Sequence, residues 1–350
     1  MRIPRSVREA DVAGKVALVR ADLNVPLEDG EVASDTRIRA SLPTLRLLLE
    51  RGAREVRVCS HLGRPKTSED REKYSMAPVQ KRLGELLPDD RVDVLENTRF
   101  DPRETKNDPD YARELAAGCD LYVDDAFGSA HRAHASTEAV AHLLPAYAGL
   151  LLEEELGQLG RLLGDVERPF ALISGGAKVE DKLGVLEHLG GRADTVLIGG
   201  KMAEQLREHN PLEFPVSLPT DVVAASAFEE DAESKVTPYD DVPDGWLGLD
   251  IGPQTRERFA KEIEVARTVF WNGPMGVFEW PRFAEGTKAV AKAVARNERA
   301  FTVVGGADSI RALTELGLVD RVDWASTGGG AALALLEGKE LPGVAAIPSR

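Results

Sequence analysis

The sequence has little cysteine, few aromatic residues and no long hydrophobic run. Of its 350 residues two are cysteines, Cys59 and Cys119, and 5% are Phe, Trp or Tyr. Both cysteines lie in apolar, strand-like runs without CxxC or histidine-rich spacing, which predicts buried, reduced thiols in a cytosolic protein. The longest apolar run, Leu143 to Leu152, is too short to span a bilayer, and the N-terminus lacks the apolar stretch of a signal peptide. We therefore expect a soluble, cytoplasmic protein.

Basic residues are fewer than acidic ones. Lys and Arg total 44 against 59 Asp and Glu, so the formal net charge is −15. This charge argues against broad electrostatic binding to nucleic acid or to an anionic membrane, and any basic site must be local. With 43% apolar residues, the chain is long enough for two domains with separate cores.

Several common catalytic motifs are absent: GxxxxGK[ST], GxGxxG, GxSxG and HExxH. Interpretations as a P-loop enzyme, a dinucleotide-binding protein, a serine hydrolase or a zincin therefore lose support. His131 and His134 form an HxxH pair, but no cysteine or further histidine lies nearby, so metal ligation is the weaker interpretation of that pair.

Short β-branched or aliphatic runs recur along the chain, each followed by a turn and a longer segment of helical periodicity. The predicted strands are Val16–Arg20, Glu55–Ser60, Arg91–Leu95, Leu121–Asp124, Phe170–Ser174, Thr195–Ile198, Asp221–Ala224, Thr268–Asn272, Phe301–Val304 and Trp324–Ser326. The predicted helices include Ser41–Arg51, Pro109–Ala117 and Phe283–Ala295. The alternation predicts an α/β fold of parallel sheets with helices on both faces, in which ligands bind beyond the carboxyl ends of the strands.

A charged segment of helical periodicity separates two halves of nearly equal size. It runs from Leu150 to Pro169, and we interpret it as an interdomain helix. The N-terminal domain then comprises residues 1–149, and the C-terminal domain comprises residues 170–339.

Four strand-end loops of the first half carry arginine or histidine. The residues are Arg37, His61, Arg64, Arg99, His131, Arg132 and His134. Because a guanidinium group binds carboxylate and phosphate oxygens in pairs, the set predicts an anion site. The alternative for each arginine is a structural ion pair with a neighbouring acid, namely Asp22, Asp35, Glu96 or Asp124. Asp22 and Asn24 either bind a ligand hydroxyl or shape the turn before Pro26.

Glycine pairs follow the strands of the second half. They occur at Gly175-Gly176, Gly199-Gly200, Gly273 with Gly276, Gly305-Gly306 and Gly328-Gly329. One pair is usually a turn, but the set indicates a rim without side chains that suits a nucleotide. Lys178 and Lys182 are four residues apart, which predicts that both lie on one helix face and reach the same phosphate. Asp308 either caps a helix or positions Mg²⁺.

Ten segments of the sequence, in order, resemble the phosphoglycerate kinase family from end to end. They are VRADLNVP, DTRIRASLPT, SHLGRPK, LENTRF, DDAFGSAHRAHAS, GGAKVEDKLGV, GLDIGP, FWNGPMGVFE, VVGGADS and STGGGAALALLEGKELPG. The resemblance implies two Rossmann-like lobes joined by the interdomain helix and a hinge, with the tail, residues 340–350, packed back on the N-terminal lobe. It also implies a monomer without nucleic-acid or membrane partners.

The resemblance further implies a reversible, Mg²⁺-dependent phosphoryl transfer between 1,3-bisphosphoglycerate with ADP and 3-phosphoglycerate with ATP, in glycolysis and gluconeogenesis. By motif, the residues that bind 3-phosphoglycerate are Asp22, Asn24, Arg37, His61, Leu62, Gly63, Arg64, Arg99 and Arg132. Those that bind the nucleotide are Gly175, Gly176, Lys178, Lys182, Gly199, Gly200, Gly248, Asn272, Pro274, Glu279, Gly306, Ala307, Asp308, Ser309, Gly328 and Gly329. Arg37, Lys178 and Lys182 are the implied catalytic residues, and Asp308 is the implied magnesium ligand.

The chain also departs from the family pattern. It is shorter than members usually are, with reduced segments between Leu87 and Val94 and between Leu206 and Leu218, and Lys201 and Ala307 stand where glycine is usual. We expect trimmed peripheral elements and an intact site. The alternative is a regulatory paralogue that binds phosphoglycerate but has impaired nucleotide binding.

Overall fold

The computed structural model describes residues 2–67 and 69–350, which fold into two compact units. One unit comprises the chain up to Gly157 together with Glu340–Arg350, and the other comprises Gln158–Lys339. Within the described residues, each unit contains one five-stranded parallel sheet. The predicted α/β class with two parallel sheets is therefore confirmed.

The sheet of the first unit joins strands that are far apart in the sequence. Its strands are β1 (Val16–Ala21), β4 (Glu55–Cys59), β5 (Val92–Val94), β6 (Leu121–Asp125) and β7 (Ala146–Ala148). They lie in the order β5-β4-β1-β6-β7, and neighbouring strands are parallel. A two-stranded antiparallel hairpin consists of β2 (Leu27–Glu28) and β3 (Glu31–Val32).

The core of the first unit forms around the central strand. All six residues of β1 are buried, as expected for a parallel strand that has neighbours on both sides and helices on its faces. The helices are α1 (Thr36–Glu50), α2 (Asp70–Lys73), α3 (Ala77–Leu86), α4 (Pro109–Ala116) and the C-terminal α12 (Pro342–Ala345). In α1 the buried residues Ile38, Leu42, Leu45 and Leu48 recur at helical spacing and face this core.

The predicted interdomain segment is only partly helical. Helix α5 spans Leu150–Leu163, so residues 164–169 lie outside it. The helix begins where neighbouring side chains accept its first N–H groups: Thr44 Oγ1 accepts from Leu150 at 2.9 Å and Asp125 Oδ1 from Leu151 at 2.9 Å. These contacts supply partners that the first turn of a helix lacks within itself.

The second unit repeats the parallel arrangement. Its strands are β8 (Phe170–Ser174), β9 (Thr195–Ile198), β13 (Thr268–Asn272), β14 (Phe301–Gly305) and β15 (Trp324–Ser326), in the order β15-β14-β13-β8-β9. Its helices are α6 (Leu183–Val185), α7 (Lys201–Glu208), α8 (Pro253–Val265), α9 (Glu285–Arg296), α10 (Ala307–Glu315) and α11 (Gly330–Leu336).

One predicted strand does not join the parallel sheet. Strand β10 (Asp221–Ala225) pairs antiparallel with β11 (Ser234–Pro238) and with β12 (Leu247–Ile251). Its β-branched run is compatible with either kind of sheet, so its local pattern was insufficient to assign it to the correct sheet. The strands β11 and β12 were missed. Strand β11 is mostly polar with three of its five residues exposed, and β12 begins with two exposed residues.

The two cysteines differ in burial. Both are free, but Cys59 is buried within β4 while Cys119 is half-buried in the turn before β6. The prediction of two buried thiols was therefore wrong for Cys119, because its apolar neighbours belong partly to a turn. Among the described residues, none of the helices combines the length and the apolar character that crossing a bilayer requires.

Replacing Asp125 by asparagine should reduce the pH dependence of stability. Burial raises the pKa of Asp125 to about 7, and its Oδ2 atom is buried without a hydrogen-bond partner in the described chain. Because this pKa exceeds that of the unfolded chain, the stability contributed by the neutral carboxyl is present below about pH 4 and is lost as the pH rises through about 7.

The asparagine does not titrate and keeps an oxygen for Leu151. Between about pH 5 and pH 8, Asp125→Asn should therefore gain about 1 kcal/mol or more in the free energy of unfolding relative to the wild type. Urea unfolding at several pH values measures this difference. Parallel pH profiles of the two proteins would contradict it.

Candidate active site

The carboxyl ends of β1, β4 and β6 bring predicted residues together in the first unit. Asp22 follows β1, His61 follows β4, and the loop that carries Arg132 follows β6. These strands are parallel neighbours, so their loops lie at the same sheet edge. A cleft of about 830 Å³ has a lining of Arg64, Pro65, Lys66, Thr67, Arg71, Arg99, Phe100, Asp101, Pro102, Thr105, Lys106, Arg132 and His134.

Arg37 forms an ion pair with Asp22, which is one of the structural pairs that the sequence allowed. It is the second residue of α1, and its Nη1 atom lies 3.0 Å from both Oδ1 and Oδ2 of Asp22. Asp22 also accepts the N–H of Asn24 at 3.3 Å. Asp22 therefore shapes the turn after β1 and orients the Arg37 guanidinium.

Three other arginines of this region have no direct ion pair in the described part of the chain. Among the ion pairs of the described residues, none joins Arg64, Arg99 or Arg132 to an acid. Arg99 donates to the carbonyl oxygen of Gly63 at 2.7 Å, and Arg132 donates to His131 Nε2 at 3.1 Å. Burial lowers the pKa of Arg99 to about 10, and the positive charges of neighbouring arginines add to this shift. Such mutual repulsion favours an anionic ligand.

His61 is neutral and has a defined tautomer. Its side chain is buried, and Arg20 Nη2 lies 2.8 Å from its Nδ1 atom. Because a guanidinium only donates, Nδ1 must accept, so the ring proton is on Nε2. Burial lowers the pKa of His61 far below its ordinary value, and the charges of Arg20, Arg99, Arg132 and Arg37 add to the shift. His61 can therefore donate a hydrogen bond from Nε2.

The backbone of Leu62 and Gly63 is held in place by asparagine side chains. The side chain of Asn97 bonds both the N–H and the carbonyl of Leu62, at 3.2 and 2.7 Å, and Asn24 Oδ1 accepts the N–H of Gly63 at 2.8 Å. Gly63 has φ +60°, and a Cβ atom there would lie 2.3 Å from the ring of Tyr74. This loop therefore requires glycine and presents its backbone beside the arginines.

In the second unit, glycines allow three strand ends to meet through their backbones. A Cβ atom on Gly175 would lie 2.1 Å from the carbonyl oxygen of Pro274, and one on Gly200 would lie 2.7 Å from that of Gly176. Gly200 has φ +64° and Gly273 has φ +98°, conformations that other residues rarely adopt. The ends of β8, β9 and β13 are therefore in direct contact.

The prediction that Lys178 and Lys182 share a helix face was wrong. Both lysines precede α6, which begins only at Leu183. The loop is tied to α7 instead, because Gln205 Oε1 accepts the N–H of Val179 at 2.9 Å. Lys178 is exposed, whereas Lys182 is largely buried and donates to Asn272 Oδ1. Burial lowers the pKa of Lys182, and Asp181 and Asp308 oppose this shift.

The start of α10 places further predicted residues next to Asn272. Gly306, with φ +86°, precedes the helix and packs against the Asn272 side chain. Ser309 Oγ accepts the N–H of Gly273 at 2.7 Å. Ala307 and Asp308 are exposed in the first turn. Positive φ falls on Gly200 and Gly306, and neither Lys201 nor Ala307 has it, so these two departures do not strain the backbone.

The other predicted nucleotide residues occupy different surroundings. Gly200 and Gly248 line a second, smaller cavity, together with Lys201, Glu204, Arg207, Tyr239 and Trp246, which sequence reasoning did not assign to the nucleotide site. Gly199 packs against Met275, Glu279 is exposed, Gly328 donates to Ser326 Oγ at 3.2 Å, and Gly329 immediately precedes α11. Lys201, Glu204 and Arg207 lie on α7 directly after Gly200, and Trp246 lies two residues before Gly248. None of these neighbours carries a phosphate motif.

Comparisons with known proteins agree with the geometry. The family model described as phosphoglycerate kinase matches residues 7–214 and 204–339. The phosphoglycerate kinase of Rubrobacter xylanophilus is 51% identical over 389 residues, covering 99% of this chain and 98% of the relative. That of Chloroflexus aurantiacus is 50% identical over 397 residues, covering 98% of each. Both alignments are longer than this chain, so some internal segments of these relatives have no counterpart in it.

Solved structures are similar as well. The phosphoglycerate kinase from Coxiella burnetii matches with a TM-score of 0.87 and 35% identity, covering 98% of each chain. The enzyme from Pyrococcus horikoshii OT3 matches with a TM-score of 0.82 and 31% identity, again covering 98% of each.

Adding a methyl group at Gly175 should disrupt the contact between the strand ends. Because the new Cβ would lie 2.1 Å from the Pro274 carbonyl oxygen, the backbone must shift, and Gly175→Ala should destabilise the protein by about 1–3 kcal/mol. Gly84→Ala is the control, because a Cβ atom at that helical position would meet nothing within 4 Å. Wild-type stability of Gly175→Ala in urea unfolding would contradict the close contact between Gly175 and the Pro274 carbonyl.

Proposed function

Since this chain belongs to the phosphoglycerate kinase family and is a phosphotransferase, we propose that it reversibly transfers a phosphoryl group between 1,3-bisphosphoglycerate with ADP and 3-phosphoglycerate with ATP. The observation that carries this proposal is that the chain contains two different candidate sites. One is the cleft whose arginines lack acidic partners, and the other is the glycine-lined set of strand ends that contains Lys182.

Such a reaction depends on neutralising charge. The attacking carboxylate or phosphate oxygen is already ionised, so transfer needs positioning and electrostatic stabilisation more than a base or a protein nucleophile. In our proposal Arg37 binds the carboxylate under attack, and Lys178 and Lys182 bind the phosphates of the nucleotide. The neutral His61 donates from Nε2 to the phosphoglycerate.

We further propose that the two ligands bind to different units. Residues 1–149 with the tail 340–350 would hold 3-phosphoglycerate, and residues 170–339 would hold the nucleotide. The basic cleft supports the first half of this assignment, because all of its lining residues belong to the first unit. The contacts among Gly175, Gly200 and Pro274 support the second half. We also propose a cytoplasmic monomer, in keeping with its free cysteines.

Asp308 fits a magnesium ion that arrives with the nucleotide. Its carboxylate is exposed at the start of α10 and lies close enough to Lys182 to affect the pKa of that lysine. Magnesium commonly uses one carboxylate together with water and phosphate oxygens. We therefore propose that Asp308 would help to hold Mg²⁺, which when bound would neutralise phosphate charge.

The defining experiment is a coupled assay with pure protein, 3-phosphoglycerate and MgATP. We expect turnover that is lost when Mg²⁺ is chelated. Absence of turnover, with calorimetric binding of 3-phosphoglycerate but not of MgADP, would support the regulatory paralogue instead. Backbone strain does not support that alternative, because Lys201 and Ala307 lack the positive φ that would require glycine.

Two substitutions test the assigned roles. Arg37→Ala and Lys182→Ala should each lower kcat by about 100-fold or more, if each cation stabilises charge mainly in the transition state. Arg39→Ala and Lys288→Ala are matched controls, because the exposed Arg39 and the half-buried Lys288 form ion pairs with Asp35 and Glu285. Steady-state kinetics make the comparison, and an effect on KM alone would show that the role assigned here is wrong.

A further inference from the structure

A buried glutamate lies behind the basic cleft. Glu104 begins a single turn of 3-10 helix, Glu104–Lys106, and its side chain is 0% exposed. A ligand in the cleft therefore cannot touch its carboxylate. Because an unpaired charge is expensive to bury, the contacts of this carboxylate indicate what it does.

The first set of contacts fixes the segment that follows Arg132. Ser136 donates to both carboxylate oxygens of Glu104, from its N–H at 3.0 Å and from its Oγ at 2.6 Å. The N–H of Ala135 donates to the Glu104 carbonyl at 3.0 Å. Glu104 Oε1 also lies 3.8 Å from His134 Nδ1. Arg132 and His134 line the cleft, so Glu104 fixes the backbone that presents them.

A second set of contacts runs from Glu104 to His61. Ser136 Oγ uses its proton toward Glu104 and accepts from Arg20 Nε at 2.9 Å. The same guanidinium donates from Nη2 to His61 Nδ1 at 2.8 Å. Arg20 is 1% exposed, so packing holds it in place. Arg20 also donates to the carbonyl of Ala21 and to Ser60 and Ser129 Oγ. The hydrogen-bonded chain that begins at Glu104 is therefore one of the contacts that orient Arg20 and, through it, His61.

The negative charge of Glu104, taken alone, would weaken the binding of an anionic ligand. Its negative charge lies near Arg99 and His134, and a buried carboxylate reduces the attraction of this region for an anion. Removing the charge should therefore tighten binding of an anionic ligand if electrostatics were its only influence, and weaken binding if the carboxylate positions the ligand-binding groups. The direction of the effect separates the two roles.

We propose that Glu104 is a positioning residue for phosphoglycerate, which acts by holding residues 134–136 and, through Ser136 and Arg20, by orienting His61. This inference rests on the proposed function, because it assumes that phosphoglycerate binds beside Arg132 and His61. Glu104 would therefore influence ligand binding without contacting the ligand.

Two variants test the inference. Ser136→Ala removes the link between Glu104 and Arg20 without changing any charge, and Glu104→Gln removes the charge and cannot accept from both Ser136 donors. We expect each to raise KM for 3-phosphoglycerate about tenfold, the loss typical of one hydrogen bond to a charged group, while KM for MgATP stays unchanged. Calorimetry with 3-phosphoglycerate alone should show the same weakening.

Nitrogen NMR of His61 provides a readout that a merely structural role would not move. In the wild type, Nδ1 should be unprotonated and Nε2 protonated, and in Ser136→Ala the Nδ1 shift should change because its hydrogen bond from the reoriented Arg20 weakens. Glu114→Gln is the matched control, because it removes a carboxylate from an exposed pair with Arg103 in the same unit.

Unchanged KM in both variants, or a lower KM in Glu104→Gln, would overturn the inference. So would an equal rise in KM for both substrates, since that would indicate general damage to the fold. Failure of the wild-type chain itself to turn over 3-phosphoglycerate would instead contradict the proposed function.

Discussion

Parallel strands place all their carboxyl ends at one edge of a sheet, and the sites of this protein depend on that constraint. In the first unit, β1, β4 and β6 are neighbours although long stretches of sequence separate them. The loops that follow them must therefore meet, and so must the arginines and histidines that these loops carry. In the second unit, the same constraint brings the ends of β8, β9 and β13 together.

The positive side chains at one edge of the first sheet repel each other. The chain as a whole has a formal net charge of −15, yet the positive charge of Arg132 helps to lower the pKa of Arg99. Hydrogen bonds to neutral groups hold these side chains without cancelling their charge. The buried Glu104 supplies a negative charge from behind the cleft, where it leaves the ligand-facing side free. The cleft therefore stays both ordered and basic.

In the second unit, glycines allow the ends of three strands to approach each other closely. Where Gly175, Gly200 and Pro274 meet, side chains are excluded because a Cβ atom would collide with backbone atoms. The absence of side chains lets the strand ends bond to each other: the N–H groups of Gly175 and Gly200 donate to the carbonyls of Asn272 and Met275. Lys182 reaches this place from a loop and donates to the Asn272 side chain. Two sheets of the same class thus produce an arginine-rich cleft and a glycine-lined rim.

Sequence alone determined the strands of both parallel sheets that carry the site residues, because buried β-branched runs and the turns after them are local patterns. It also identified the arginines and glycines at the strand ends. Only the tertiary structure decided that β10 pairs antiparallel, that Lys182 lies in a loop, and that Glu104 is buried and bonded to Ser136. These features depend on contacts between residues far apart in the chain, and such contacts leave no periodic signal in either segment.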